Sequence, residues 1–363
     1  MRVIEVNSFN KFYDMRSEWN RFLNGISDNT HFLSWERMAP GVKYLEQGST
    51  LKILCATDGK EILGIAPLRK SNRYFNGHII YSVIEAISLR TPGILLAKRK
   101  AECVNMFLTH LYSQKDWDFL YFNEVPETFS AVNLLRESSH SIPDFEVKEG
   151  DVSPYLTIPN SLDELYRSLT PKFRKNLRNS MRRLERKHGK VALKDYYELG
   201  SLDEMIQVFF DMHQKRWIAK GEPGAFKTKH NRDMFLYEAK LFSEINCLRL
   251  RFLVVNDKPI SVFYGFENKQ VLYYLLGGFD PDYAFYGPSN LQELKTLERC
   301  IEGNLKELNF FGGYTHHKFR WCKTYRRNFT FRFVNRKLYS KALNLGIRIS
   351  RKGNIDKLVA SIL

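Results

Sequence analysis

Three shortages narrow the field before any motif is read. Cysteine is scarce: Cys55, Cys103, Cys247, Cys300 and Cys322 are odd in number and scattered. Such a pattern fits reduced thiols and offers neither a disulfide framework nor metal-ligand spacing, so no metal is expected. Long apolar runs are missing too, and no segment is suited to cross a bilayer. The opening MRVIEVNSFNKFYD has no apolar core of the kind a signal peptide needs, which makes the cytoplasm the expected location. The third shortage is acidic charge. Against 56 Lys and Arg stand 40 Asp and Glu, a formal net charge of +16, and a field of that sign favours anionic partners such as nucleic acid, a phosphate-rich cofactor, anionic lipid or an acidic polymer.

What is present describes a folded protein of two domains. The 363 residues, 44% hydrophobic and 14% aromatic, are long for one core and comfortable for two. Trp19 to Leu45 reads as helix in two pieces, broken near Ser27 to Asn29. LKILCAT, DGK and EILGIAPL then make a hairpin. Strand-like runs follow at Gly77 to Ile84 and Thr91 to Leu96, a helix at Ala101 to Ser113, and a strand at Asp118 to Val125. The second half repeats the order. Helical stretches at Leu162 to Leu169, Pro171 to Lys187 and Leu202 to Lys220 precede a second hairpin, LRLRFLVV, NDK and PISVFYGF. An offset of about two hundred residues points to two copies of one α/β unit. The boundary falls near Pro154 to Pro159, giving domains at 1–155 and 156–335 and a basic helical tail at 336–363, which packs on the second domain or lies on a membrane surface.

Val271 to Trp321 carries the clearest site signal. A strand, VLYYLLGGF, leads through an irregular loop, Asp280 to Ser289, into a helix at Asn290 to Glu302. A second strand, Leu305 to Phe311, and the exit HHKFRW follow. Ser289 and Gln292 have capping-box spacing, and Gly303 sits where a C-cap glycine belongs. Unpaired N–H groups at the start of that helix face back toward the preceding strand, a ready anion site. Upstream, Thr170 to Lys190 (TPKFRKNLRNSMRRLERKHGK) forms a discrete helix with an apolar stripe of Phe173, Leu177, Met181 and Leu184. The rest of its surface is covered by Lys and Arg, either a solvated face or a contact to phosphates, tRNA or an anionic membrane. On the next helix His213 shares an apolar face with Ile206, Phe210 and Trp217, and Arg216 lies beside it. A lone His there is read first as a hydrogen-bonded core residue and second as a base.

These landmarks together resemble the CelD/BcsL-like acyltransferases, a branch of the GNAT (Gcn5-related N-acetyltransferase) superfamily associated with cell-surface polysaccharide synthesis. More distantly they are similar to the FemABX aminoacyltransferases. The resemblance rests on LTPKFRKNLRNSMRRLER, HQKRW (His213 to Trp217), FDPDYAFYGPSNL (Phe279 to Leu291) and HKFRW (His317 to Trp321). It departs at Asn309, where the family's strand usually carries an acid, and in lacking the superfamily's glycine-rich pyrophosphate signature.

The resemblance implies an α/β (α+β) tandem duplicated GNAT-like fold, with mixed central sheets flanked by helices. It implies direct acyl transfer from acyl-CoA, acetyl-CoA included, to an amine or hydroxyl of a sugar or polysaccharide precursor. Donor contacts are expected at Gly277, Gly278, Gly287, Pro288, Ser289 and Asn290. His213, His316 and His317 are the candidate bases, with Tyr283 as a proton relay. Arg216, Trp217, Tyr273, Lys318 and Trp321 are expected around the substrates. Two alternatives stay open: aminoacyl transfer from charged tRNA held through Arg178, Arg182 and Arg183, and a binding module without catalysis. Peripheral contact with the inner face of a membrane is compatible with each.

Overall fold

The computed structural model describes residues 1–352 apart from 29, 60, 89–92, 140, 141 and 143. The expected strand start at Thr91 and Pro92, and the end of the tail, lie outside the described residues. By their contacts the residues fall into two units, Met1–Asp151 with Arg327 onward, and Val152–Arg326.

In the first unit, helices α1 (Phe9–Asp14), α2 (Arg16–Asn24) and α3 (Trp35–Lys43) follow strand β1 (Arg2–Val6). Strands β2 (Thr50–Thr57), β3 (Ile62–Phe75) and β4 (His78–Ala86) form an antiparallel meander. A short β5 (Leu95–Leu96) and helix α4 (Lys100–Tyr112) lead to β6 (Phe119–Pro126), which runs parallel to β4 over Val83↔Phe119, Ile84↔Leu120 and Glu85↔Tyr121. Helix α5 (Ser130–Ser139) and strand β7 (Phe145–Thr157) follow.

The second unit repeats the plan. Helices α6 (Leu162–Ser168) and α7 (Pro171–His188) precede β8 (Val191–Asp195), and α8 (Leu202–Ile218) and α9 (Lys229–Glu244) come next. The antiparallel meander of β9 (Leu248–Val255), β10 (Lys258–Asn268) and β11 (Val271–Phe279) leads through α10 (Pro288–Glu302) to β12 (Glu307–Asn309). Strand β12 is parallel to β11 over Val271↔Glu307, Leu272↔Leu308 and Tyr273↔Asn309. A meander, a crossover helix and a parallel strand joined over a short register thus occur twice, as the duplicated hairpins predict.

The two faces of the strands in the second unit hold different cores, because neighbouring residues of a strand point to opposite sides. Phe263 and Leu272 pack with Leu177 of α7 and with Leu291 and Leu294 of α10. Tyr264 stacks on Phe209 of α8, with ring centroids 5.0 Å apart. Helix α7 is framed as its sequence dictates: Thr170 Oγ1 accepts from the Phe173 N–H, Pro171 takes the first helical position, and Gly189 follows at φ 96°. Phe173, Leu177 and Leu184 are buried, with Met181 packed against the same cluster.

The structure corrects several expectations. Helix α10 starts two residues early, at Pro288, and Gly287 in the left-handed conformation precedes it without a side-chain cap. The Ser289–Gln292 capping box does not form, since proline needs no N–H at the first position and Gln292 points inward. Its Oε1 accepts from the Leu253 N–H at 2.8 Å, beside an irregularity of the β9–β10 register between Pro259 and Ser261. The strand expected over Leu305 to Phe311 is confined to Glu307–Asn309. The tail becomes strand β13 (Thr324–Val334) and helix α11 (Leu338–Lys352). That helix groups with the first unit, where the expectation placed it on the second: Ser340 Oγ donates to Asp118 Oδ1 at 2.7 Å, and the Tyr339 hydroxyl to the Ile80 carbonyl at 2.6 Å.

Candidate functional site

Strand β11 sets the frame. Opposite it β10 pairs Tyr264 with Leu276 and Gly265 with Tyr274, so Leu275 is an extra residue, a β-bulge. Gly265 is required there, because a side chain would run into the Tyr273 carbonyl. On the other edge, pairing with β12 ends at Tyr273. Residues Tyr274 to Phe279 therefore leave one edge of the strand without a ladder to β12, a place for an extended ligand to lie. Gly278 is fixed by close packing: a Cβ would come within 2.7 Å of the His213 backbone nitrogen on α8. At Gly277 a Cβ would overlap the Tyr274 hydroxyl.

Around this edge stand Arg216, Tyr274, Glu293 and His317. Arg216 Nη1 donates to the Gly277 carbonyl at 3.4 Å, and its guanidinium lies 5.1 Å from the Phe279 ring centroid. Glu293, on α10, is 1% exposed, and its Oε1 lies 2.6 Å from His317 Nε2. The Glu293 carboxylate raises the His317 pKa above its ordinary value, outweighing burial and the fields of Arg216 and Arg320. Burial first, and the same carboxylate second, push the Tyr274 phenol upward. With Nε2–H held by a carboxylate, neutral His317 keeps Nδ1 as its proton-accepting atom. Glu293 Oε2, Asn290 Oδ1 and Arg216 Nε are buried and meet no hydrogen-bond partner among the described residues. Unmatched polar atoms in one neighbourhood are a recurrent mark of a site completed by a ligand or water.

The remaining expected site residues have other surroundings. His213 is 2% exposed, edged by Phe226 with centroids 4.8 Å apart, and its Nε2 accepts from the Trp217 indole at 2.9 Å. It is a core histidine whose Nε2 lone pair is engaged, as is the Trp217 N–H. His316 is exposed beside Tyr314. Lys318 Nζ donates to the carbonyls of Phe311, Gly312 and Gly313 at 3.0, 2.7 and 3.3 Å, closing the turn after β12. Trp321 is buried edge-on against Phe173, centroids 5.0 Å apart. Tyr283 sits with His188 of α7, and Tyr273 shares a register row with Asn309. Asn309 caps its own turn, its Oδ1 accepting from the Phe311 N–H at 2.9 Å. At the entry of α10, Gly287 and Pro288 form the turn, Ser289 stands in the first helical turn, and Asn290 follows beneath Gly287.

Sequence reasoning missed Glu293 and Tyr274. Asn290, Glu293 and Thr296 recur at three-residue spacing on α10 beside its apolar face, and that polar stripe was the available signal.

Comparisons agree with this plan. Residues 171–319 match the family model described as Acetyltransferase (GNAT) domain. Among curated proteins none matches the sequence. Among solved structures the chain is similar to FemX, at TM-score 0.65 and 10% identity over 95% of this chain and 100% of that one. It is also similar to L-PGS from Bacillus licheniformis, at TM-score 0.54 and 11% identity over 94% and 96%. A tandem GNAT protein from the clavulanic acid biosynthesis pathway matches at TM-score 0.50 and 8% identity over 91% and 97%. Residues 171–319 are thus similar to a GNAT acetyltransferase domain, and the chain shares the mixed α/β fold of the tandem GNAT protein.

Proposed function

We propose that the chain is an acyltransferase that takes an acyl group from a thioester of CoA and passes it to an amine or hydroxyl of a sugar, a polysaccharide precursor or a related metabolite. The observation that carries this is the His317–Glu293 pair standing beside the open edge of β11. The donor supplies an activated carbonyl. The residues present fit such a ligand: a strand edge from Tyr274 to Phe279 beyond the ladder to β12, a first helical turn at Ser289 without a side-chain cap, and buried atoms of Asn290 and Arg216 unmatched among the described residues. Backbone groups of the bulged strand orient the carbonyl and polarise it. His317 takes the acceptor's proton at Nδ1, and Glu293 holds the ring and stabilises the imidazolium that results. Transfer of this kind needs no cysteine nucleophile, in keeping with Cys300 and Cys322, whose thiols burial pushes up to about 12 and about 11.

The test is thiol release from acetyl-CoA and longer acyl-CoA in the presence of amino sugars and other amines. His317→Ala should lower turnover by about 10²–10⁴-fold, the usual contribution of a general base. Unchanged turnover would remove His317 from the chemistry. A second reading, aminoacyl transfer from charged tRNA, draws on the eight Lys and Arg of α7 and the similarity to FemX. It requires tRNA retention that falls steeply with salt and that neutralising Arg178, Arg182 and Arg183 weakens. A binding module without catalysis would be stabilised by ligand yet release no thiol.

A further inference from the structure

We propose that the cleft between the C-terminal end of α7 and the helical turn at Pro281–Tyr286 is a nucleotide-binding site. Arg183, Arg186 and Lys187 would take the phosphates and Phe285 the base. The open cleft has a volume of about 430 Å³ and is lined by these four residues with His188, Asp282 and Tyr286. That volume is within the range of small-ligand sites. None of its residues belongs to β11 or to the His317–Glu293 pair, so binding there can be measured without acyl transfer.

Charge is the first argument. Arg183, Arg186 and Lys187 are exposed on the last turns of α7, and no carboxylate among the described residues lies within 4.0 Å of their charged groups. Uncompensated cations converging on a cleft attract a polyanion, and arginine forks match phosphate oxygens. Charge alone would suit a solvated face. The aromatic ring does not: Phe285 is 74% exposed, and the Arg183 guanidinium lies 5.6 Å from its centroid. An apolar ring held open beneath a guanidinium is a stacking platform, which every nucleobase can use. The walls are preformed. Tyr286 is 7% exposed and its hydroxyl meets His188 Nε2 at 3.1 Å. Lys258 Nζ lies 5.5 Å from the Tyr283 ring behind them. Inorganic phosphate or a lipid headgroup would engage the cations and leave the ring unused, whereas a nucleotide uses both.

The nucleotide can be free or the handle of a larger substrate, such as the donor thioester or an activated sugar. Calorimetric titration of the full chain at low salt with ADP, UDP, inorganic pyrophosphate and CoA tests the site. A nucleoside diphosphate should bind about tenfold tighter than pyrophosphate. Phe285→Ala should remove that advantage while leaving pyrophosphate binding in place. Arg186→Gln with Lys187→Gln should weaken both ligands by tenfold or more. All three side chains are exposed, so an unchanged melting temperature certifies the fold of the variants. CoA displacing the nucleotide would assign the cleft to the donor, and a UDP-sugar displacing it where CoA does not would assign it to the acceptor. Equal affinity for pyrophosphate and nucleotide, indifference to the substitutions, or binding only to phosphatidylglycerol vesicles would overturn the proposal.

Discussion

At position 293 a carboxylate is buried in the second turn of a helix, where desolvation makes an isolated charge costly. His317 answers one of its oxygens at 2.6 Å. Because Glu293 raises the His317 pKa, the pair's contribution to stability is complete below the ordinary histidine value of about 6.5 and is lost as pH rises through the higher folded value. Catalysis runs the other way, since a base must be deprotonated. Turnover should rise with pH along a limb centred above about 6.5, and Glu293→Gln should move that midpoint down. Measured pH profiles of kcat/KM for both proteins decide this, and coincident profiles would mean that Glu293 does not act through His317. In the sequence His317 came forward as one of three candidate histidines, through the HKFRW segment of the resemblance. Glu293 was hidden because α10 buries Glu293 and Thr296 along with its apolar face, whereas a polar stripe on a helix ordinarily reads as its solvated side.

Gly278 presents the clearest steric prediction. Alanine there would press on the Met212–His213 backbone, which cannot yield as a side-chain tip can. Overpacking of this kind costs about 1–3 kcal/mol, so Gly278→Ala should lower the denaturant midpoint without changing the slope.

Among elements, the α7 helix, both hairpins and the β11–α10 unit were legible because periodicity and turn residues agree there, with capping chemistry agreeing as well at α7. The limits of β12 were not. Leu305 to Phe311 is apolar enough for a longer strand, but β12 spans only Glu307–Asn309, and the turn beyond it puts Phe311 at φ 63°. Lys318 binds that turn through three carbonyls. Lys318→Met keeps the stem and removes the ammonium, leaving three carbonyls to find water or strain. Hydrogen bonds to a charged group contribute about 1.5–3 kcal/mol, so a loss of at least that size is expected in chemical denaturation, along with faster amide exchange at Gly312 and Gly313. Retained protection at both glycines would show that the lysine is dispensable to the turn.

For the molecule as a whole, the informative feature is that residues 327–352 group with the unit of Met1–Asp151. A chain read in order assigns a C-terminal tail to the domain just completed. Polar contacts reverse that assignment: Lys337 Nζ and Ser340 Oγ both reach Asp118 Oδ1 at 2.7 Å. The buried Arg332 on β13 donates to Asn344 Oδ1 at 2.8 Å. These partners are ordinary Lys, Ser and Asn in a basic tail, with no local pattern that names their distant acceptors. Ending the chain after Lys337 would keep one ion pair to Asp118 and remove, besides the Tyr339–Ile80 bond, two bonds that each involve a charged group. At about 1.5–3 kcal/mol apiece, roughly 3–6 kcal/mol should be lost from the first unit, a large share of the stability an ordinary domain possesses. Hydrogen exchange at Phe119 to Val125 of β6 should quicken accordingly, and Ser340→Ala in the full chain should reproduce about half of the effect. If β6 amides stay equally protected in the truncated chain, the C-terminal helix is an appendage and the first unit is complete at β13.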